Sequence, residues 1–261
     1  MTGPAMSRDK RLAGRTALVT GSTRGIGRTI AERLGREGAR VVVSGRVEAE
    51  VATAVADMRA IGLDALGVAA DLSRPEEAHR LGTGALAAVD HLDILVNNAG
   101  QSRRGAFWDV EDADWEYQMN LNLRAPFILA QHAARSMIER GVHGRIVNIG
   151  SIGARHCHRD AAVYDAAKSG VEALTRNLAY ELGPHGISVN CVVPGSIADR
   201  PGAGEARDEW QRASRFIPIG RIGRADDVAA AVLWFSLPEA EFTTGQSLLV
   251  DGGQGAYLPE E

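Results

Sequence analysis

The chain has 261 residues, of which 45% are hydrophobic, with a formal net charge of −4 and two cysteines. That length and composition allow a sizeable core, in one large α/β domain or two small ones, and exclude disorder as a global description. The mild negative charge argues against a nucleic-acid binder, which usually carries a strongly basic surface. No run approaches the eighteen or so apolar residues that a membrane span needs.

The first segment, "MTGPAMSRDKRLAGR", is charged and has no apolar core behind it. It is therefore expected to be a flexible arm over residues 1–14 rather than a secretory signal. Apolar, β-branched runs then recur at residues 16–20, 40–44, 65–70, 92–96, 145–149, 187–193 and 247–250, with helix-length segments between them. Continuous rather than alternating apolar runs predict strands buried on both faces, and strand–helix alternation predicts a parallel sheet covered by helices on each side. The expected fold is a doubly wound α/β domain over residues 15–261, with no linker or repeat dividing it. Helical periodicity marks 112–140 and 161–182. At "LSRPEE" a helix start is expected, with Ser73 capping, Pro75 in the first turn and Glu76 completing a capping box. Two segments at the carboxyl edge of the sheet, 101–108 and about 196–216, are candidate substrate loops.

In "LVTGSTRGIGRTIAERLG" three glycines, Gly21, Gly25 and Gly27, stand where a strand gives way to a helix. One reading is a bare turn that needs residues without a Cβ. The other is an anion site, because unpaired N–H groups and the positive end of the helix dipole converge there.

Tyr164 and Lys168 lie four apart in a helical segment, so their side chains share a face. A free tyrosine titrates near pH ~10, and a close ammonium is expected to lower that value, making the phenol a proton relay. Ser151 stands at the end of the strand "GRIVNIGS", where its hydroxyl can reach the same oxygen or simply cap the strand end.

"TGSTRGIG", "NNAG", Ser151, "YDAAK", the "PG" of Pro194 and Gly195, and "VDGG" follow one another in an order and spacing that resembles the short-chain dehydrogenase/reductases over nearly the whole chain. The resemblance implies a single Rossmann-type domain with a seven-stranded sheet, a nicotinamide dinucleotide cofactor and a homotetramer. It also implies Tyr164 as general acid/base, Lys168 tuning it and holding the nicotinamide ribose, Ser151 orienting the substrate carbonyl and Asn122 keeping a water linked to the lysine. The cofactor-binding set it implies is Gly21, Ser22, Thr23, Arg24, Gly25, Ile26, Gly27, Arg46, Asp71, Leu72, Asn98, Ala99, Gly100, Tyr164, Lys168, Pro194, Gly195 and Ile197, with Asn97 beside them. Asp71 is read either as the acid that bonds adenine or as a polar strand end. No metal site is expected.

The second strand ends in Ser44, Gly45 and Arg46, with no carboxylate at its tip. Arg46, helped by Arg24, can face a 2′-phosphate, which favours NADP over NAD; Glu48 is the residue that could serve the ribose of NAD. Asp199 departs from the family's threonine in that loop and cannot donate a bond when ionised. Arg155, His156, His158 and Arg159 make the segment before Tyr164 polar, which points to a sugar, polyol or keto-acid substrate unless they face solvent or a neighbouring subunit. The runner-up activity is reduction of 3-oxoacyl thioesters on a carrier protein. A non-catalytic dinucleotide-binding regulator and a lyase or epimerase are the other readings. Cys157 and Cys191 lack metal or redox spacing, so free thiols in a cytoplasmic protein are expected.

Overall fold

The structure, a computed structural model, describes residues 10–198 and 214–256. Seven parallel strands form the sheet: β1 (Thr16–Val19), β2 (Arg40–Gly45), β3 (Ala65–Ala69), β4 (Ile94–Asn97), β5 (Arg145–Ile149), β6 (Ser188–Pro194) and β9 (Ser247–Val250). They lie in the order β3-β2-β1-β4-β5-β6-β9. A small two-stranded pair, β7 (Ile197–Ala198) with β8 (Gly223–Arg224), stands apart. The helices are α1 (Gly25–Arg36), α2 (Glu48–Ala60), α3 (Pro75–Ala87), α4 (Asp112–Met119), α5 (Ala125–Arg140), α6 (Ala162–Leu182) and α7 (Ala225–Ser236).

Strand residues alternate between two cores because successive side chains point to opposite faces. Val41 and Val43 join Ile30, Leu34, Met58 and Val232 on the side of α1, α2 and α7. Val42, Leu18 and Leu95 join Leu81, Leu129 and Met137 on the side of α3, α5 and α6. All seven predicted strands are present, with ends that differ by at most two residues.

Three local expectations need correction. Within the described residues the 1–14 arm is not free: Leu12 is 1% exposed in the first core, and Arg11 pairs with Glu37 at 2.8 Å. An apolar side chain next to a helix end gains more from docking than from water. Residues 1–9 lie outside the described residues.

Ser73 does not cap α3. Its hydroxyl donates instead to the Asp71 carboxylate at 2.8 Å, and Arg74 takes the cap position with no side-chain bond. Pro75 is in the first turn as expected, since its missing N–H costs nothing there.

The 112–140 helix is continuous in path but contains a π-helical turn at Asn120–Arg124. Such turns widen the ladder locally and are frequent at functional sites. Here the turn places Asn122 inside, fully buried.

Candidate active site

The strand order reverses between β1 and β4, where connections leave to opposite sides and open a crevice at the carboxyl edge. A cleft of about 560 Å³ occupies it.

At one end lies the glycine turn. Gly21 and Gly25 have positive φ, 62° and 58°, which other residues adopt at a cost. Gly27 is closed in: a Cβ there would strike the Gly21 carbonyl and the Asn98 amide. The Asn98 amide donates to the carbonyls of Thr20 at 2.8 Å and Gly21 at 3.2 Å. The Thr20 hydroxyl in turn accepts from the N–H groups of Asn98 and Ala99. The "TGSTRGIG" and "NNAG" segments are thus bolted together. The N-cap of α1 is Arg24 in extended conformation, with no side-chain cap bond, so first-turn N–H groups of α1 face the cleft. That uncapped end fits the pyrophosphate of a dinucleotide.

Of the sequence-derived set, Gly21, Thr23, Arg24, Gly25, Ile26, Gly27, Arg46, Asp71, Leu72, Asn98, Ala99, Gly100, Ser151, Tyr164, Lys168, Pro194, Gly195 and Ile197 line this one cleft. Ser22 does not. It is buried, donates to the Val19 carbonyl at 2.6 Å and accepts from the Ser44 N–H, so its hydroxyl ties β1 to β2. Asn97 is also turned away: its amide donates to Asn148 Oδ1 at 2.9 Å, beneath α5. Asp71 lines the cleft, and its carboxylate accepts from the Ser73 N–H and hydroxyl. Glu50, on the first turn of α2, lines the cleft with Arg46. Glu48 does not. Asp199 and most of 196–216 lie outside the described residues.

At the other end, Ser151, Tyr164 and Lys168 meet. The Ser151 hydroxyl accepts from the Gly153 N–H at 3.2 Å and lies on the same cleft wall as the Tyr164 phenol, close enough to favour its phenolate. It is therefore both cap and site residue. The Lys168 ammonium lies 5.7 Å from the Tyr164 ring centre and donates to the Ile149 carbonyl at 2.8 Å. Asn122 lies behind this wall, its amide donating to the carbonyls of Gln101 and Gln118, both at 2.9 Å. Gly100 separates Asn122 from Lys168: a Cβ there would sit 2.8 Å from Asn122 Oδ1 and 3.2 Å from Lys168 Nζ.

The electrostatics correct one expectation. The Tyr164 phenol is pushed above its ordinary range, not below it, because burial penalises the phenolate more than Ser151 favours it. Burial likewise lowers the Lys168 ammonium to about 8. It also pushes the Cys191 thiol up to about 12, so that thiol stays protonated.

The basic segment before Tyr164 is another correction. Arg155 pairs with Glu172 at 3.0 Å and His158 with Asp165 at 2.8 Å, and neither lines the cleft. Their side chains are directed at α6. Gln101, the first residue of the 101–108 candidate substrate loop, lines the cleft, as do Tyr117 and Leu121, which sequence reasoning missed. The Tyr117 hydroxyl donates to Gln101 Oε1 at 2.7 Å, and the Arg103 guanidinium covers the Tyr117 ring at 3.5 Å. The four-residue spacing of Tyr117 and Leu121, one helix turn, was the available signal.

The class these features define is the dinucleotide-dependent α/β oxidoreductases. A profile described as enoyl-(acyl carrier protein) reductase matches residues 21–254. The 3-oxoacyl-(acyl-carrier-protein) reductase of Aquifex aeolicus is 38% identical over 245 residues, 93% of this chain and 98% of that one. Gluconate 5-dehydrogenase of Gluconobacter oxydans is 37% identical over 250 residues, 93% of this chain and 95% of its own. A gluconate 5-dehydrogenase from Burkholderia cenocepacia, solved with NADP and tartrate, superposes with a TM-score of 0.87 at 34% identity, covering 96% of this chain and 98% of that one. The chain belongs to the short-chain dehydrogenase/reductase family of NAD(P)-dependent oxidoreductases.

Proposed function

We propose that the protein is a cytoplasmic, homotetrameric oxidoreductase that prefers NADP and interconverts a carbonyl and a secondary alcohol on a polyhydroxylated sugar or sugar acid. It works as a single domain over 15–261, with a substrate loop at about 196–216. The observation that carries the reading is the convergence of Ser151, Tyr164 and Lys168 in one cleft with the glycine turn.

When bound, the nicotinamide accepts or supplies the hydride. In reduction the Tyr164 hydroxyl donates its proton to the substrate oxygen; in oxidation it takes the alcohol proton back. The raised phenol is protonated at neutral pH, ready for reduction. The Lys168 ammonium favours the phenolate that reduction leaves behind, and the Ser151 hydroxyl orients the carbonyl. Asn122, bonded to Gln101 and Gln118, holds the wall behind Lys168.

The preference for NADP rests on Arg46 and Arg24 at the cleft, whose guanidinium groups suit a 2′-phosphate. It draws support from the NADP in the Burkholderia structure. Glu50 on the same wall is the competing group for a 2′-hydroxyl. The polar substrate draws support from the Gln101–Tyr117 pair lining the cleft and from the gluconate dehydrogenases among the relatives. A second reading, reduction of a 3-oxoacyl thioester, has the Aquifex relative in its favour.

The test is a panel of D-gluconate, other polyols and acetoacetyl-CoA with both dinucleotides, followed by reduced-nicotinamide absorbance. Tyr164→Phe is expected to lose about 10²–10⁴-fold in kcat with cofactor affinity retained. Arg46→Asp is expected to raise KM for NADP about 10-fold or more while leaving NAD little changed. Near wild-type turnover in Tyr164→Phe would refute the proton relay, and equal effects of Arg46→Asp on both dinucleotides would remove the NADP preference.

A further inference from the structure

The α6 helix carries two neighbouring stripes. Tyr164 and Lys168 form one. Asp165, Ser169 and Glu172, spaced four and three residues apart, form the other, and each grips the segment that follows β5. Asp165 takes both the backbone N–H and the ring N–H of His158, each at 2.8 Å. The Ser169 hydroxyl is shared between the Asp165 carbonyl in its own helix at 2.8 Å and the Ala154 carbonyl at 3.2 Å. Glu172 takes the Arg155 guanidinium at 3.3 and 3.0 Å. These three ties fasten the turn Ile152–Ala154 and its flanks along the helix that bears the tyrosine and lysine.

The tie at Asp165 lies nearest the reacting groups. Asp165 is next to Tyr164 in the chain, and the His158 ring centre lies 6.4 Å from that of Tyr164. Asp165 and His158 also press on Gly153, where any side chain would strike the Asp165 carboxylate and the His158 ring. Gly153 is the residue whose N–H holds the Ser151 hydroxyl at 3.2 Å. A continuous chain of contacts therefore runs from His158 through Asp165 and Gly153 to Ser151, which lines the cleft with Tyr164.

We propose that His158 is a positioning residue: by clasping Asp165 it seats Gly153, and so fixes the Ser151 hydroxyl against Tyr164. The proposal rests on the reading of Ser151 and Tyr164 as the proton-handling pair. His158 itself touches neither the cleft nor the reacting atoms. The physical warrant is that a catalytic hydroxyl displaced by about 1 Å can lose on the order of 100-fold in rate, while binding surfaces elsewhere stay intact. The clasp is a hydrogen bond to a carboxylate, partly buried, with side-chain exposures of 32% for His158 and 13% for Asp165. Asparagine can donate the same bond from its amide.

The experiment compares wild type, His158→Ala, His158→Asn and the double variant His158→Ala/Tyr164→Phe. The probes are D-gluconate with NADP and acetoacetyl-CoA with NADPH, and NADPH fluorescence reports cofactor affinity. Backbone hydrogen exchange over residues 151–158 is followed by mass spectrometry in parallel. His158→Ala is expected to lower kcat about 10- to 100-fold, with NADPH affinity and cofactor KM unchanged, and to speed exchange in that segment. His158→Asn is expected to recover kcat to within about 3-fold of wild type, because the bond to Asp165 is restored. In the double variant the histidine substitution should add nothing to the loss from Tyr164→Phe.

Unchanged kcat in His158→Ala, a loss that tracks cofactor affinity, or failure of asparagine to rescue would each overturn the proposal. If wild type turns over neither probe, the proposed substrate classes fail instead. The exchange arm then still decides whether His158 holds the segment: unchanged exchange in His158→Ala overturns the clasp.

Discussion

An ammonium group taken out of water needs acceptors nearby, and Lys168 has the Ile149 carbonyl at 2.8 Å. That single bond does not offset burial, so its pKa falls from 10.5 to about 8. The sign of the linkage follows. Between about 8 and 10.5 the unfolded chain holds the proton and the folded protein does not, so stability from this group rises with pH across that window. Below about 8 both states are protonated, and the folded protein carries the full desolvation cost. Lys168→Met, which removes the titration, should therefore gain most over wild type near neutral pH and lose that advantage toward pH 10. The expected slope is up to about 1 kcal/mol per pH unit, read by urea denaturation at several pH values. A difference between the two proteins that does not vary with pH would mean that the amine titrates normally. At this scale the identities Ser151, Tyr164 and Lys168 were legible from spacing and motif, but their electrostatics were not. The expected lowering of the phenol by a close ammonium failed because both groups are desolvated, and burial depends on neighbours far away in the chain.

At the scale of elements, the glycine turn and α1 act as one unit. The chain needs positive φ at Gly21 and Gly25, and at Gly27 it needs open space. Gly27→Ala should cost about 1–3 kcal/mol in urea denaturation, since its methyl meets backbone atoms and an amide rather than a flexible side-chain tip. It should also weaken NADPH binding, because the first turn of α1 has to move. Unaltered stability with unaltered binding would show that the turn has slack. Strand identities were readable because β-branched runs buried on both faces carry a strong signal, and 145–149 and 247–250 match to the residue. The π-helical turn was not readable. Asn122 there bonds Gln118 within the helix and Gln101 beyond it, and the Gln101 contacts arise only once the "NNAG" strand end has been brought alongside. For the same reason the pairing of Tyr117 with Gln101 was not readable: one stands on a helix and the other on a loop, and only the fold brings them into contact.

Among the described residues, apolar side chains stand exposed on several elements, including α4, α5, α7 and β9. Trp115 on α4 and Phe127 and Ile138 on α5 are 40–47% exposed, and Trp234 on α7 and Leu248 on β9 are 44% and 40% exposed. Strand β9 is also an end of the sheet, and a parallel edge with apolar side chains favours pairing with another chain. The proposed homotetramer predicts a sedimenting species of four chains. Leu248→Glu, on the edge strand, should reduce it to pairs without unfolding the protomer. A wild-type protein that sediments as a single chain at micromolar concentration would remove the assembly, leaving the cleft chemistry untouched.

The amino-acid sequence by itself determined the strand count, the parallel sheet, the glycine turn and the choice of the serine, tyrosine and lysine that the fold brings to one cleft. Those features are written in local patterns: periodicity, residues without a Cβ, and one-turn spacing. Only the tertiary structure decided that Ser22 and Asn97 face inward, that Leu12 docks, and that Arg155 and His158 bond to α6 rather than line the cleft. Each of these outcomes depends on which distant group meets a polar or apolar side chain first, and burial and pairing are settled by packing across the sheet rather than along the chain.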